Sequence, residues 1–264
     1  MAVGKTLFGC AGQRGPLETY GKRFDVLELD VLDRTPPTKD ATLRKWRREA
    51  GPRLGFSLVA PVALAAVRPT PALDEALGRL LEAQRLLQAR WILLATPVEV
   101  TPAPLPRERL ARVVARIREG LGEARDLVRI VWQPRGLWEL ETAAAFAKTL
   151  PVDLCADPLA DPREPFWDDG LRYLRLSAVG GRTVFPPMRL RSIAELLAAA
   201  QGDDARAGTT VERVVVLTTP RAPAEVRKLR QLVQALSTRG AGDVGGGRVI
   251  LPRNRAAAGL GEEE

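Results

Sequence analysis

Two acids stand two residues apart in the apolar run at residues 24–30, FDVLELD. The run has the composition of a β-strand, in which alternate side chains share a face, so Glu28 and Asp30 lie with Val26 while Leu27 and Leu29 take the other side. A buried carboxylate without a partner is costly and tends to take up a proton. An acid in this position therefore needs a cation or a chemical task. The run at residues 171–178, LRYLRLSA, offers the cation. Tyr173, Arg175 and Ser177 alternate there with Leu174 and Leu176, and an inward guanidinium can grip a carboxylate with two hydrogen bonds. Glu28 and Arg175 are read as a buried ion pair, and Glu28, Asp30 and Arg175 are the candidates for catalysis. A structural and a catalytic version of that pair look alike in sequence.

The other polar side chains expected at strand ends are Asp33, Thr96, Glu99, Gln133, Asp157 and Ser177, of which Gln133, Asp157 and Ser177 are binding candidates. Asp30 and Asp157 could together offer oxygen ligands to a hard divalent cation. Capping a turn or pairing with Arg is the reading preferred for both, since acids beside Pro commonly serve turns; no metal and no cofactor are expected. The chain has no His, which excludes a His general base, a His-dependent triad and a His metal cluster. Cys10 and Cys155, far apart in sequence, suit reduced core thiols rather than a disulfide framework, and two cysteines alone cannot hold a structural zinc. Gly4-Lys5-Thr6 lacks the earlier glycine that a phosphate loop requires.

The formal charge of +8 raises nucleic acid or an acidic partner as ligands. Residues 42–53, TLRKWRREAGPR, gather Arg44, Lys45, Arg47, Arg48 and Arg53 against Glu49 alone, which makes Arg44, Arg47 and Arg48 candidate nucleic-acid contacts. Two features favour a solvated helix face and weak, non-specific binding. Leu43, Trp46 and Ala50 follow one helical stripe, so Trp46 suits the core. In residues 107–120, Arg109, Arg112 and Arg116 likewise line one face of a helix whose other face is Leu110, Val113, Val114 and Ile117. No apolar run reaches the ~18 residues of a membrane span, and no signal peptide is apparent; the expectation is a cytoplasmic protein with no membrane contact.

Positioning these side chains is the work of about eight short apolar runs alternating with helical patterns. Strands so uniformly apolar, each followed by a helix, signal parallel βα units buried on both faces. With 264 residues, 45% of them hydrophobic, the fold expected is α/β, a (β/α)8 TIM-barrel-like domain, irregular at the first and sixth βα units. Sites in such barrels lie at strand C-termini. A doubly wound open sheet is the alternative. One domain is expected over residues 1–239, followed by a Gly-rich, loosely ordered tail over 240–264.

The order of segments, FDVLEL, then TLRKWRREAGPRLGFSLVAP, ILLATP, RIVWQPRGLW and YLRL, resembles the YecE-like family, domain of unknown function 72, over roughly residues 6–236. The resemblance implies a TIM barrel. It also exposes departures at polar positions: Asp30 stands for the family's Asn, Val59 for a Lys, Ala95 for a Gln, Val131 for a Glu, Gln133 for an Arg and Ser177 for a His, while Glu28 and Arg175 are kept. A barrel that keeps its apolar pattern and sheds its polar site reads as a degenerate, non-catalytic member acting as a binding or assembly subunit, with a protein partner or a homo-oligomer as its output. The alternatives are a metal-dependent hydrolase or nuclease-like barrel using Asp30, Asp157 and Glu28, and nucleic-acid binding through the Arg-rich helices.

Overall fold

The short apolar runs pair side by side in chain order, all parallel, and the eighth closes on the first. The computed structural model describes residues 5–12, 15–159, 171–178 and 182–242. The strands are β1 (Lys5–Ala11), β2 (Val26–Leu29), β3 (Gly55–Val59), β4 (Trp91–Ala95), β5 (Arg129–Gln133), β6 (Asp153–Ala156), β7 (Leu171–Leu176) and β8 (Glu212–Leu217). The helices are α1 (Leu17–Gly21), α2 (Asp40–Ala50), α3 (Val62–Ala65), α4 (Pro71–Leu87), α5 (Pro104–Leu121), α6 (Leu140–Ala147), α7 (Pro187–Ala207) and α8 (Ala222–Gly242). Proline opens α4, α5 and α7, where its missing N–H costs nothing and its fixed φ suits the first turn. The first unit is irregular as expected, since α1 has only five residues. The link after β6 lies outside the described residues from 160 to 170; of the tail expected over 240–264, the first three residues continue α8 to Gly242 and the rest, from 243 on, lie outside the described residues.

Alternation along each strand divides the core in two. Leu27, Leu29, Phe56, Leu58, Ile92, Leu94, Ile130, Trp132, Leu174 and Leu176 face outward and pack beneath the helices. Leu7, Val26, Trp91, Leu93, Val131, Cys155, Tyr173, Val214 and Val216 fill the barrel. Strand pairing advances the register steadily around the barrel, so inward side chains of alternate strands stand at common levels. Val26, Trp91, Asp153 and Val214 form a low level. Gly9, Ser57, Val131 and Tyr173 come next, then Glu28, Leu93, Cys155 and Val216, and uppermost Ala11, Val59, Gln133 and Arg175.

Large and small residues interlock across these levels. The Tyr173 ring shares its level with Gly9 and Ser57. Gly9 itself touches β2: a Cβ there would lie 2.1 Å from the Val26 carbonyl oxygen. Beneath, a Cβ on Gly55 would lie 2.5 Å from the Trp91 ring. That indole blocks the N-terminal end of the barrel, with Arg90 stacked 4.6 Å from the ring centroid. Ion pairs of Arg90 with Glu212 and of Arg129 with Asp153 complete the closure.

The two glycines should respond differently to a methyl group. Overpacking typically costs about 1–3 kcal/mol, and the clash at Gly55 is with a side chain while that at Gly9 is with backbone. Urea unfolding should therefore show strong coupling between Gly55→Ala and Trp91→Leu and none between Gly9→Ala and Trp91→Leu. Equal coupling in both cycles would contradict the packing described.

Candidate functional site

Glu28 is 1% exposed and both its oxygens are engaged. Arg175 donates from Nε to Oε1 at 2.9 Å, and the Tyr173 hydroxyl lies 3.1 Å from Oε2. The same hydroxyl is 2.9 Å from Ser57 Oγ, and Ser57 sits beside Glu28 in the β2–β3 register. The expected pair is thus present, inside a four-residue network spanning β2, β3 and β7. Burial works against the Arg175 charge, but Glu28 outweighs it and holds the guanidinium above its usual pKa. Burial first, then the Glu28 charge, pushes the Tyr173 phenol well up. Burial and Glu28 likewise push up the Cys155 thiol. Tyr173 and Cys155 therefore keep their protons at ordinary pH.

Above this network the barrel opens. Leu93, Cys155 and Val216 join Glu28 in a buried floor, while Ala11, Val59, Ala95, Gln133 and Arg175 above it are all partly exposed. The result is a recess walled mostly by small apolar residues, with Arg175 and Gln133 as its polar members. The terminal amino nitrogens of Arg175 have no hydrogen-bond partner among the described residues, and Gln133 Oε1 is buried without one. At the rim, Ser177 Oγ and Thr218 Oγ1 are 2.7 Å apart, and Arg135, two residues beyond the end of β5, is exposed.

The remaining candidates disperse. Asp30, expected to point inward, is exposed, because β2 ends at Leu29 and the chain turns to bury Val31 and Leu32 instead. Asp157 accepts the Leu159 N–H at 2.9 Å and pairs with Arg189, serving a turn and a cation at once. Asp33 accepts the Val62 N–H at the start of α3, and Thr96 accepts the Trp132 indole N–H. Among the described residues no group of three or more metal-ligating side chains converges. Arg44 and Arg48 are exposed on α2, but Arg47 turns inward. It donates to the carbonyl oxygens of Gly51, Leu54 and Leu87 and lies 5.0 Å from the Phe56 ring centroid, so its donors are engaged within the fold. Sequence reasoning passed over Ser57 and Arg189; the signal for Ser57 was a hydroxyl in the middle of the apolar run GFSLV.

No protein-family model matches the sequence, and no curated protein matches it either. Among solved structures, a protein of the domain-of-unknown-function 72 family from Enterococcus faecalis V583 superposes with a TM-score of 0.63, covering 89% of this chain and 96% of that one at 13% identity. A protein of the same family from Thermotoga maritima MSB8 gives 0.62 over 87% and 99%, also at 13% identity. This chain has the fold of the domain-of-unknown-function 72 proteins. That barrel is shared more widely: D-psicose 3-epimerase from Clostridium cellulolyticum H10, solved with D-tagatose, is 15% identical and superposes at 0.53 over 89% of this chain and 98% of its own. No described helix of this domain-of-unknown-function 72 fold is long and apolar enough to cross a membrane.

Two outcomes test the network. Arg175→Met leaves Glu28 buried and half-partnered, and breaking a buried pair costs about 3–5 kcal/mol; the double variant Glu28→Gln/Arg175→Met should recover much of that loss in denaturant unfolding, and equal losses would refute the coupling. Both thiols are buried, so native protein should resist alkylation by iodoacetamide at pH 8.5 on the timescale in which urea-unfolded protein is fully labelled.

Proposed function

We propose that this chain is a non-catalytic binding barrel whose C-terminal mouth receives a small anion, a carboxylate or phosphate that also carries hydroxyl groups. The observation that carries this reading is the division of labour on Arg175. Its Nε is committed to Glu28, while its two amino nitrogens remain for a ligand, and a guanidinium edge matches carboxylate or phosphate geometry. Gln133, level with Arg175 in the barrel wall, has an amide oxygen buried without a partner, and a turn of that amide toward the mouth would offer it to a ligand hydroxyl. Arg135 supplies a second positive charge, needed because Glu28 already neutralises the first. D-Psicose 3-epimerase, solved with D-tagatose, is a barrel of the same architecture with a polyhydroxylated ligand, which makes a sugar acid a suitable probe.

The non-catalytic part of the reading rests on how the reactive groups are spent. A general base needs a lone pair free to face its substrate, and both oxygens of Glu28 accept hydrogen bonds from neighbours. Tyr173 and Cys155 are held protonated by burial. Asp157 is bound to Arg189, whose charge repels a metal ion, and Asp30 stands in solvent. The metal-dependent alternative therefore draws little support from the geometry.

A ligand that binds only the native state raises stability by RT ln(1 + [L]/Kd), about 1.4 kcal/mol at ten times Kd. Thermal unfolding with D-gluconate, inorganic phosphate and neutral D-glucose should show an upward shift with gluconate, a smaller one with phosphate and none with glucose. Glu28→Gln/Arg175→Met should abolish the gluconate shift and Gln133→Leu should reduce it. A gluconate shift that survives the double variant would overturn the assignment. Micromolar Mg²⁺ or Mn²⁺ binding by calorimetry, lost in Asp30→Asn, would replace it with the metal-dependent reading.

A further inference from the structure

The wall of the mouth is electrically balanced before any ligand arrives. From the level of Tyr173 to that of Arg175, the charged side chains that point inward among the described residues are Glu28 and Arg175, and their charges cancel. One residue beyond β6, Asp157 is cancelled in the same way by Arg189. Arg135 stands at the rim, exposed to solvent and its salt.

A ligand oxygen on the amino nitrogens of Arg175 stands across the guanidinium from Glu28. With a hydrogen bond of about 2.9 Å on either side of that group, the two negative charges lie roughly 7 Å apart. That is within the Debye length of about 8 Å at physiological salt, and Glu28 is 1% exposed, so little water screens it. Glu28 thus subtracts about half of the attraction that Arg175 exerts on an anion. Attraction to a fixed cation grows in proportion to the ligand's charge, whereas the cost of taking an ion out of water grows with its square. A halved attraction still suffices for one negative charge and fails to meet the desolvation of two.

Resting on the anion-binding reading above, we infer that Glu28 is a specificity residue that limits the ligand to a single negative charge, which names its class as hydroxylated monocarboxylates rather than phosphate esters. The same carboxylate that orients Arg175 also sets how much charge the mouth accepts. A purely structural Glu28 would be replaced without consequence for anion choice by Gln, whose amide oxygen accepts the same Nε–H and whose amino group donates to Tyr173.

The test is calorimetric titration of D-gluconate and inorganic phosphate at pH 6 and pH 8. The chain has no His. Tyr173 and Cys155, the titratable neighbours of Glu28, keep their protons, and Arg175 keeps its charge. Across this window the change of charge is therefore the ligand's: phosphate moves from one negative charge toward two, and gluconate stays at one. The unaltered protein should bind gluconate equally at both pH values and phosphate more weakly at pH 8. Glu28→Gln should tighten phosphate at pH 8 by about tenfold more than gluconate. Val59→Lys, which adds a cation at the level of Arg175 on a partly exposed position and leaves the network intact, should move the ratio the same way, and decides the matter if Glu28→Gln does not fold. Phosphate binding that strengthens from pH 6 to pH 8 in the unaltered protein would overturn the inference, as would a phosphate-to-gluconate ratio unmoved by either variant. Gluconate binding with an unmoved ratio would fall on the inference alone; no binding of either anion would overturn the anion-binding reading and this inference with it.

Discussion

Glu28 lies in the middle of a barrel from which water is excluded, and the arrangement above and around it follows from how its charge is met. Arg175 comes down from the level above, Tyr173 rises from the level below, and Ser57 holds Tyr173 from β3. Two of the three strands, β2 and β3, are neighbours and the third, β7, is not, so the network ties one part of the barrel wall to another through the interior. Its partners are then fixed by sterics: a phenol can occupy its level only where Gly9 and Ser57 leave room. Polar satisfaction and jigsaw packing are here a single constraint.

That constraint also shapes what the mouth can do. An acid whose oxygens are both bonded is poor at moving protons, yet it is well suited to fixing a guanidinium in one orientation. The recess that results has an apolar wall, a charged edge held from behind, and one amide oxygen left over. On the function proposed above, the cost of orienting the guanidinium would be met during folding rather than on binding.

Part of the basic composition is used within the fold. Arg47 caps the carbonyl ends of α2 and α4 and the chain before β3, Arg118 donates to the Arg125 and Pro151 carbonyls, and Arg230 joins the Arg23 carbonyl and Asp25. Helix C-termini leave carbonyls without partners, and a guanidinium carries five donors in a fixed fork. Much of an Arg-rich surface is therefore structural cement.

Strand and helix periods, the parallel order and the barrel were legible in the chain, because uniformly apolar runs separated by amphipathic helices can bury both faces in few ways. So was the meeting of Glu28 with Arg175, since each occupies an inward position on a run that has no other means of satisfying it. Tertiary structure alone decided where β2 stops, and with it the removal of Asp30 from the interior. It alone brought Ser57 to Tyr173, 116 residues away, and turned Arg47 from the surface to the carbonyls of its own helix end. The physical reason is register: the level at which an inward side chain stands depends on the stagger of all eight strands once the barrel has closed, and no local pattern carries that information.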